Sequence, residues 1–240
     1  MINSNELKTL LVFDMDYTIL SENTDEVIYK LFKNKETAKK VKSIQGTKFH
    51  CDYMQDVYID MKQEGISFCD IMNVINCMEL NIGFEQIFNY IREHKEKFIC
   101  ILVSGGNTIY VEKILKLFSL NDIISEFFTN PAFPSEEKLI QTQNYHSHSC
   151  KTCDGSMCKK MILVNYLEQS KEKFKNIVYM RDGLNYYCPR TLLTENDILF
   201  PRVEFPLWNK IYNQKYKNEL KCKIEPWTNG YDILNVLVKL

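Results

Sequence analysis

A doubly wound parallel α/β sheet, interrupted near its start by an all-helical insertion, is the fold class this sequence predicts. Three apolar runs, Leu10 to Phe13, Phe98 to Val103 and Ile177 to Met180, are short and nearly continuous, as suits strands covered on both faces. Segments with helical spacing follow and separate them, so strands alternate with helices, which implies parallel strands joined by crossovers. Between the first two runs, from about Lys33 to Lys97, the periodicity is helical throughout.

The first run ends abruptly in Asp14-Met15-Asp16-Tyr17-Thr18. Nothing in a buried strand's packing asks for two acids. At the carboxyl end of a central strand they stand where open α/β sheets bind ligands, and their closeness raises the cost of ionising both unless a cation is present. A hard divalent metal such as Mg2+ is the natural companion. Alone, the two acids also suit a solvated turn, since Asp is common in turns.

Ile19 to Asp25 reads as a turn, with Asn23, Thr24 or Asp25 able to cap a helix through Val27, Ile28, Leu31 and Phe32. Tyr53, Val57 and Met61, then Ile71, Val74, Ile75 and Met78, recur at helical spacing, with Gly65 and Gly83 as punctuation. The length of this helical stretch suits a cap better than a connector. The second run ends in Ser104, and Gly105-Gly106-Asn107 turns into a helix carrying Val111, Ile114, Leu115 and Phe118. Ser104 and the amides after it would then sit at a helix amino terminus, which favours a phosphate; an ordinary N-cap serine fits equally.

Phe127 to Tyr145 reads as short strands joined by a polar turn around Ser135 to Lys138, and Met157 to Leu167 as a helix. The strand Asn176 to Arg181 ends in Asp182-Gly183, a further acid at a strand's carboxyl end. A short helix at Thr191 to Leu193, a strand at Asp197 to Phe200, a helix from Pro206 to Tyr216 and a final helix with Ile233, Leu234, Val236, Leu237 and Leu240 complete the reading.

The 240 residues give room for one α/β domain with a modest insertion. A formal charge of -1, from 30 basic and 31 acidic residues, supplies no electrostatic reason to expect nucleic acid or an anionic membrane as partner, so a small-molecule substrate fits better. Apolar runs stay short of the roughly 18 residues of a membrane span, and the amino terminus is polar, so a cytoplasmic protein is expected. The oligomeric state is not legible.

Nine cysteines are present, and Cys51, Cys69, Cys77, Cys100, Cys188 and Cys222 stand isolated. Cys150, Cys153 and Cys158 are crowded together with His146 and His148, which resembles a zinc knuckle lacking its second ligand pair. Two readings stand: structural Zn2+ on the three cysteines and one histidine, or a reduced loop packed beside Lys159. The second is preferred.

The pattern Asp-x-Asp-x-Thr behind an apolar strand resembles the first signature of the haloacid dehalogenase superfamily. Ser104, then Lys159 or Lys160, then Asp182 follow in the order that superfamily requires. Within it, the chain resembles the phosphatases acting on phosphoethanolamine, phosphocholine and pyridoxal phosphate. The blocks that carry this likeness are Phe13 to Ile19, Asn23-Thr24-Asp25, Phe128 to Ala132, Asn144 to Cys150, Cys153, Met157-Cys158-Lys159, Tyr179 to Gly183 with Asn185, Cys188-Pro189 and Phe200-Pro201-Arg202.

The resemblance implies a Rossmann-like core, residues 1–22 and 98–240, with residues 23–97 as the helical cap. It implies Mg2+-dependent hydrolysis of a small phosphomonoester through an aspartyl-phosphate. Asp14 would be the nucleophile and Asp16 the acid/base. Asp14, the Asp16 carbonyl and Asp182 would hold Mg2+. Thr18, Ser104, Gly105, Asn185 and Lys159 would bind the phosphate, and Asp25 would face the head group. Lys159 is preferred to Lys160 because it stands three and four residues before the apolar Ile162 and Leu163.

Two departures from the family pattern matter. Family members carry Gly-Asp-Gly-x-Asn-Asp where this chain has Arg181-Asp182-Gly183-Leu184-Asn185-Tyr186, which removes an outer carboxylate that supports the metal. Gly105 replaces an Asp thought, with the counterpart of Asp25, to favour cationic amine head groups. These changes motivate an alternative: a weak or inactive phosphatase fold serving as a ligand-binding or protein-interaction module.

Overall fold

Strand β1 (Lys8–Phe13) holds the centre of a six-stranded sheet because every residue from Leu10 to Phe13 is at most 1 % exposed. The computed structural model describes residues 7–183, 188–212 and 220–240. In it β1 pairs in parallel with β2 (Phe98–Asn107) on one side and β6 (Phe174–Arg181) on the other. Beyond β2 lies β3 (Ile124–Asn130), and beyond β6 lie β7 (Ile198–Pro201) and β8 (Lys223–Ile224), all parallel. The order β3-β2-β1-β6-β7-β8 places the reversal of winding between β1 and β6, the position at which such sheets open a crevice at their carboxyl edge.

The alternation along β1 feeds two cores. Leu11 and Phe13 face one core with helices α5 (Phe84–Glu93), α6 (Thr108–Leu117) and α9 (Gly230–Leu237). Leu10 and Val12 face the other with α7 (Lys159–Gln169) and α8 (Pro206–Tyr212). The sheet is therefore the middle of three layers, the expected doubly wound α/β class. Among the described residues no helix is long and apolar enough to cross a membrane.

The insertion after β1 is helical. Helices α1 (Thr24–Tyr29), α2 (Lys35–Ser43), α3 (His50–Gln63) and α4 (Phe68–Asn76) precede α5. Asn23 caps α1 by accepting from the Asp25 and Glu26 amides, and Ser67 with Asp70 forms a capping box on α4. Helix α5, although within the expected cap, packs beneath the sheet. The Phe88 ring lies 5.9 Å from that of Phe13, and Phe84 lies 5.7 Å from Trp227 on the β8–α9 connection.

Two local expectations need correction, and a third falls partly outside the described residues. Strand β2 continues through both glycines to Asn107, whose side chain caps α6 by accepting from the Tyr110 amide at 3.1 Å, so Ser104 does not sit at a helix start. The helix expected at Thr191 to Leu193 is a single 3-10 turn over Cys188–Leu192. Helix α8 is described to Tyr212, and its expected extension to Tyr216 falls outside the described residues. The expected strand pair is present as the antiparallel hairpin β4 (Ala132–Ser135) and β5 (Leu139–Thr142).

Candidate active site

After β1 the chain makes one tight π-type turn over Met15–Ile19, with Tyr17 in the left-handed region at φ 52°. Asp14 leaves the strand in extended geometry, and its Oδ1 accepts from the Met15 amide at 3.0 Å. The turn brings Asp16 back toward the strand's end, where its Oδ1 accepts from the Thr24 amide at 2.8 Å. That bond commits the Asp16 carboxylate to the start of α1.

Lys159, the first residue of α7, is 2 % exposed, and its Nζ lies 2.6 Å from Asp14 Oδ2. Both oxygens of Asp14 are thus oriented by donors. Asp182, just past β6, completes the group from the adjacent strand. Burial, with the charges of Asp25 and Asp14 added, pushes the Asp16 carboxyl up from 3.8 to about 8. Burial and the Asp14 charge push Asp182 up to about 6, against the opposing pull of Arg181 and Lys159. Burial lowers Lys159, aided by Arg181 and opposed by Asp14. An acidic cluster whose ionised forms are penalised in this way fits a hard divalent cation, and its donors are all oxygen.

These groups open into a cavity of ≈ 430 Å³. Its floor is Asp14, Asp16, Lys159 and Asp182; Gly105 and Gly106 form one wall, and Asp25, Lys48, His50 and Tyr53 come from the helical insertion. A larger cleft of ≈ 1070 Å³ between α5 and the end of α6 contains none of the four floor residues, so chemistry, not size, identifies the site.

A family model described as Putative Phosphatase matches residues 9–240. The chain belongs to this phosphatase family. The human protein named pyridoxal phosphate phosphatase PHOSPHO2 is 30 % identical to this phosphatase over 235 residues, covering 96 % of the chain and 98 % of the relative. The chicken (Gallus gallus) phosphoethanolamine/phosphocholine phosphatase is 28 % identical over 245 residues, covering 100 % of the chain and 91 % of the relative. A solved phospho-aspartyl intermediate analogue of phosphoserine phosphatase superposes with a TM-score of 0.63 at 17 % identity, covering 98 % of this chain and 100 % of that one. The chain is thus a phosphoric monoester hydrolase with a haloacid dehalogenase-like fold.

Around this phosphatase site the remaining expected residues fall into three groups. Asp25 lines the cavity, accepts no hydrogen bond at its buried Oδ1, and lies 3.4 Å from His50 Nε2. Burial raises its pKa, and His50 opposes that. Thr18 and Ser104 are fully buried and do not line the cavity: Ser104 Oγ accepts from the Gly106 amide at 3.1 Å, and Thr18 Oγ1 has no hydrogen-bond partner among the described residues. Asn185 and Tyr186 lie outside the described residues.

Sequence reasoning missed several contributors because their partners are far away along the chain. Asn81 donates from Nδ2 to the carbonyls of Thr18 (2.9 Å) and Leu20 (3.1 Å), which fixes the turn that follows Asp14 and carries Asp16. Arg202 donates to the Tyr17 carbonyl and to Asn81 Oδ1 at 3.1 Å, and its guanidinium lies 4.3 Å from the Phe205 ring centre. Arg202 stood in a quoted block, but nothing local assigned it this task. His50 had no local signal at all.

The expected mixed cysteine and histidine cluster is also rearranged. His146 Nε2 accepts from the Cys158 amide at 2.9 Å, and His148 bonds the Asp154 carbonyl through Nε2 and the Cys150 amide through Nδ1. Both imidazoles therefore bond the backbone, His148 through both ring nitrogens. Cys188 joins Cys150, Cys153 and Cys158 in their place.

Proposed function

We propose that this phosphatase hydrolyses a small phosphomonoester, of the pyridoxal phosphate type, with Mg2+ and through an aspartyl-phosphate on Asp14. The observation that carries the proposal is the buried Asp14 carboxylate, oriented by Lys159 at 2.6 Å in a cavity that Asp16 and Asp182 also line. In-line attack by Asp14 forms a bond to phosphorus and breaks the bond to the leaving alcohol, which takes the Asp16 proton. A carboxyl held near 8 is protonated at neutral pH, as that step requires. Water then attacks the phosphorus, Asp16 takes its proton back, and Asp14 is released. Lys159 and the backbone around Gly105 and Gly106 hold phosphoryl oxygens. Asp14, the Asp16 carbonyl and Asp182 would hold Mg2+, which supplies positive charge at those oxygens when bound.

The cap closing over this cavity consists of α1 to α4 in this reading, with α5 assigned to the sheet layers on its contacts with Phe13 and Trp227. Its contribution sets the head-group preference. Gly105 brings no carboxylate, and burial raises the pKa of Asp25, so a quaternary or primary ammonium meets little fixed negative charge there. Lys48, His50 and Tyr53 suit a polar aromatic group better. A cytoplasmic setting belongs to the same proposal, supported by nine unpaired cysteines.

Phosphate release from pyridoxal phosphate, phosphoethanolamine and phosphocholine, with Mg2+ and with chelator, tests the reading. Pyridoxal phosphate should be turned over fastest, only with Mg2+, and not by Asp14→Asn. Release at equal rates by wild type and Asp14→Asn would contradict it, and no release from any ester would favour the ligand-binding alternative.

A further inference from the structure

Four sulfurs from two distant segments meet beside the active site. The Sγ atoms of Cys150, Cys153, Cys158 and Cys188 all lie within 4.8 Å of one another, with Cys188 at 3.0 Å from Cys153 and 3.6 Å from Cys158. A tetrahedral Zn2+ with Zn–S bonds of roughly 2.3 Å requires sulfur separations of about 3.8 Å, within reach of this set by small rotamer adjustments. A single disulfide would join two of the four and leave the other two crowded against it. We infer that Cys150, Cys153, Cys158 and Cys188 bind one Zn2+ as a tetrathiolate site.

The surroundings are those of a built site. The amides of Thr152 and Cys153 face the Cys150 sulfur, the Met161 amide faces Cys158, and the Lys160 amide faces Cys188. Backbone donors of this kind stabilise thiolates and orient them on a metal. Binding releases the thiol protons to solvent and leaves an anionic centre that these amides face. Soft thiolates in tetrahedral array select Zn2+ over the hard cation that suits the carboxylates.

The site would act as a clamp. Cys158 immediately precedes Lys159, and Cys188 lies six residues beyond Asp182, so one ion ties the start of α7 to the 3-10 turn over Cys188–Leu192. The segment before α7 also reaches the cap: Asp154 accepts from the His50 amide at 3.1 and 3.2 Å, and Phe49 covers Gly155. The clamp's effect on Lys159 rests on the phosphatase reading above; the metal content does not.

The test is elemental analysis of tag-free, full-length protein grown with zinc and purified without chelator, read together with thiol titration. About one Zn per chain is expected, reduced several-fold in Cys188→Ser and in Cys150→Ser and unchanged in Cys69→Ser, whose side chain is exposed away from the cluster. Replacement by Co2+ should give intense thiolate-to-metal charge-transfer bands with tetrahedral ligand-field bands. Because Cys150 is only partly buried, its serine variant serves if Cys188→Ser fails to fold. A folded wild-type chain free of metal, iron in place of zinc, or a Cys153–Cys188 disulfide in a non-reduced peptide map would each overturn the inference, whatever the phosphatase activity proves to be.

Discussion

Lys159 is the buried cation against which Asp14 is held, at 2.6 Å and 2 % exposure. Lys159→Met should lower phosphate release at least a hundred-fold and, by leaving a buried carboxylate unpaired, cost about 3 kcal/mol in urea denaturation of the metal-free protein. Asp16 gives a pH signature. Its folded-state pKa, pushed up from 3.8 to about 8, favours the protonated carboxyl. That contribution to stability is fully present below pH 3.8 and is lost as the pH rises through about 8. Asp182, whose carboxylate would hold Mg2+, is pushed up to about 6 and must ionise to bind, so the rise in Tm on saturating with Mg2+ should be larger near pH 8 than near pH 5, and equal rises would contradict that shift. At this scale Asp14, Asp16, Lys159 and Asp182 were legible because each stands at the end of an apolar strand or the start of a patterned helix. Cys188, His50 and Arg202 were not, because each is defined by a partner more than twenty residues away.

The turn after β1 is the element on which the site depends, and it is held from outside itself. Asn81→Ala removes the donors to the Thr18 and Leu20 carbonyls and should cost about 2 kcal/mol, with kcat falling more than KM because the acids lose position rather than contact with substrate. A second joint lies where α5 and α9 begin. A Cβ on Gly230 would stand 2.5 Å from the carbonyl carbon of Gly83, itself at φ +83°, so neither backbone can yield cheaply. Gly230→Ala should therefore lower stability by about 2 kcal/mol or more in thermal denaturation, with the metal requirement unchanged. Strands and helices were legible from period and composition. The end of β2 was not, since Gly105 and Gly106 read as a turn, whereas pairing of Asn107 with Asn130 continues the strand past them.

Over the whole molecule, sheet order explains why the chemistry sits where it does. The winding reverses between β1 and β6, so Asp14 and Asp182 emerge side by side at one crevice, and α7 brings Lys159 to the same point. The doubly wound class followed from alternation alone, but the division of the helical insertion did not, because α5 carries the same periodicity as its neighbours and differs only in what it packs against. Covalent catalysis by Asp14 is the claim on which the proposed phosphatase chemistry stands. Acid quenching during steady-state turnover, followed by borohydride reduction and peptide mass spectrometry, reads that claim directly: an acyl-phosphate is reduced to homoserine. Homoserine at position 14 in the wild type, and none in Asp14→Asn, is the predicted result. Phosphate release with no homoserine at position 14, or with homoserine at another acid, would contradict it.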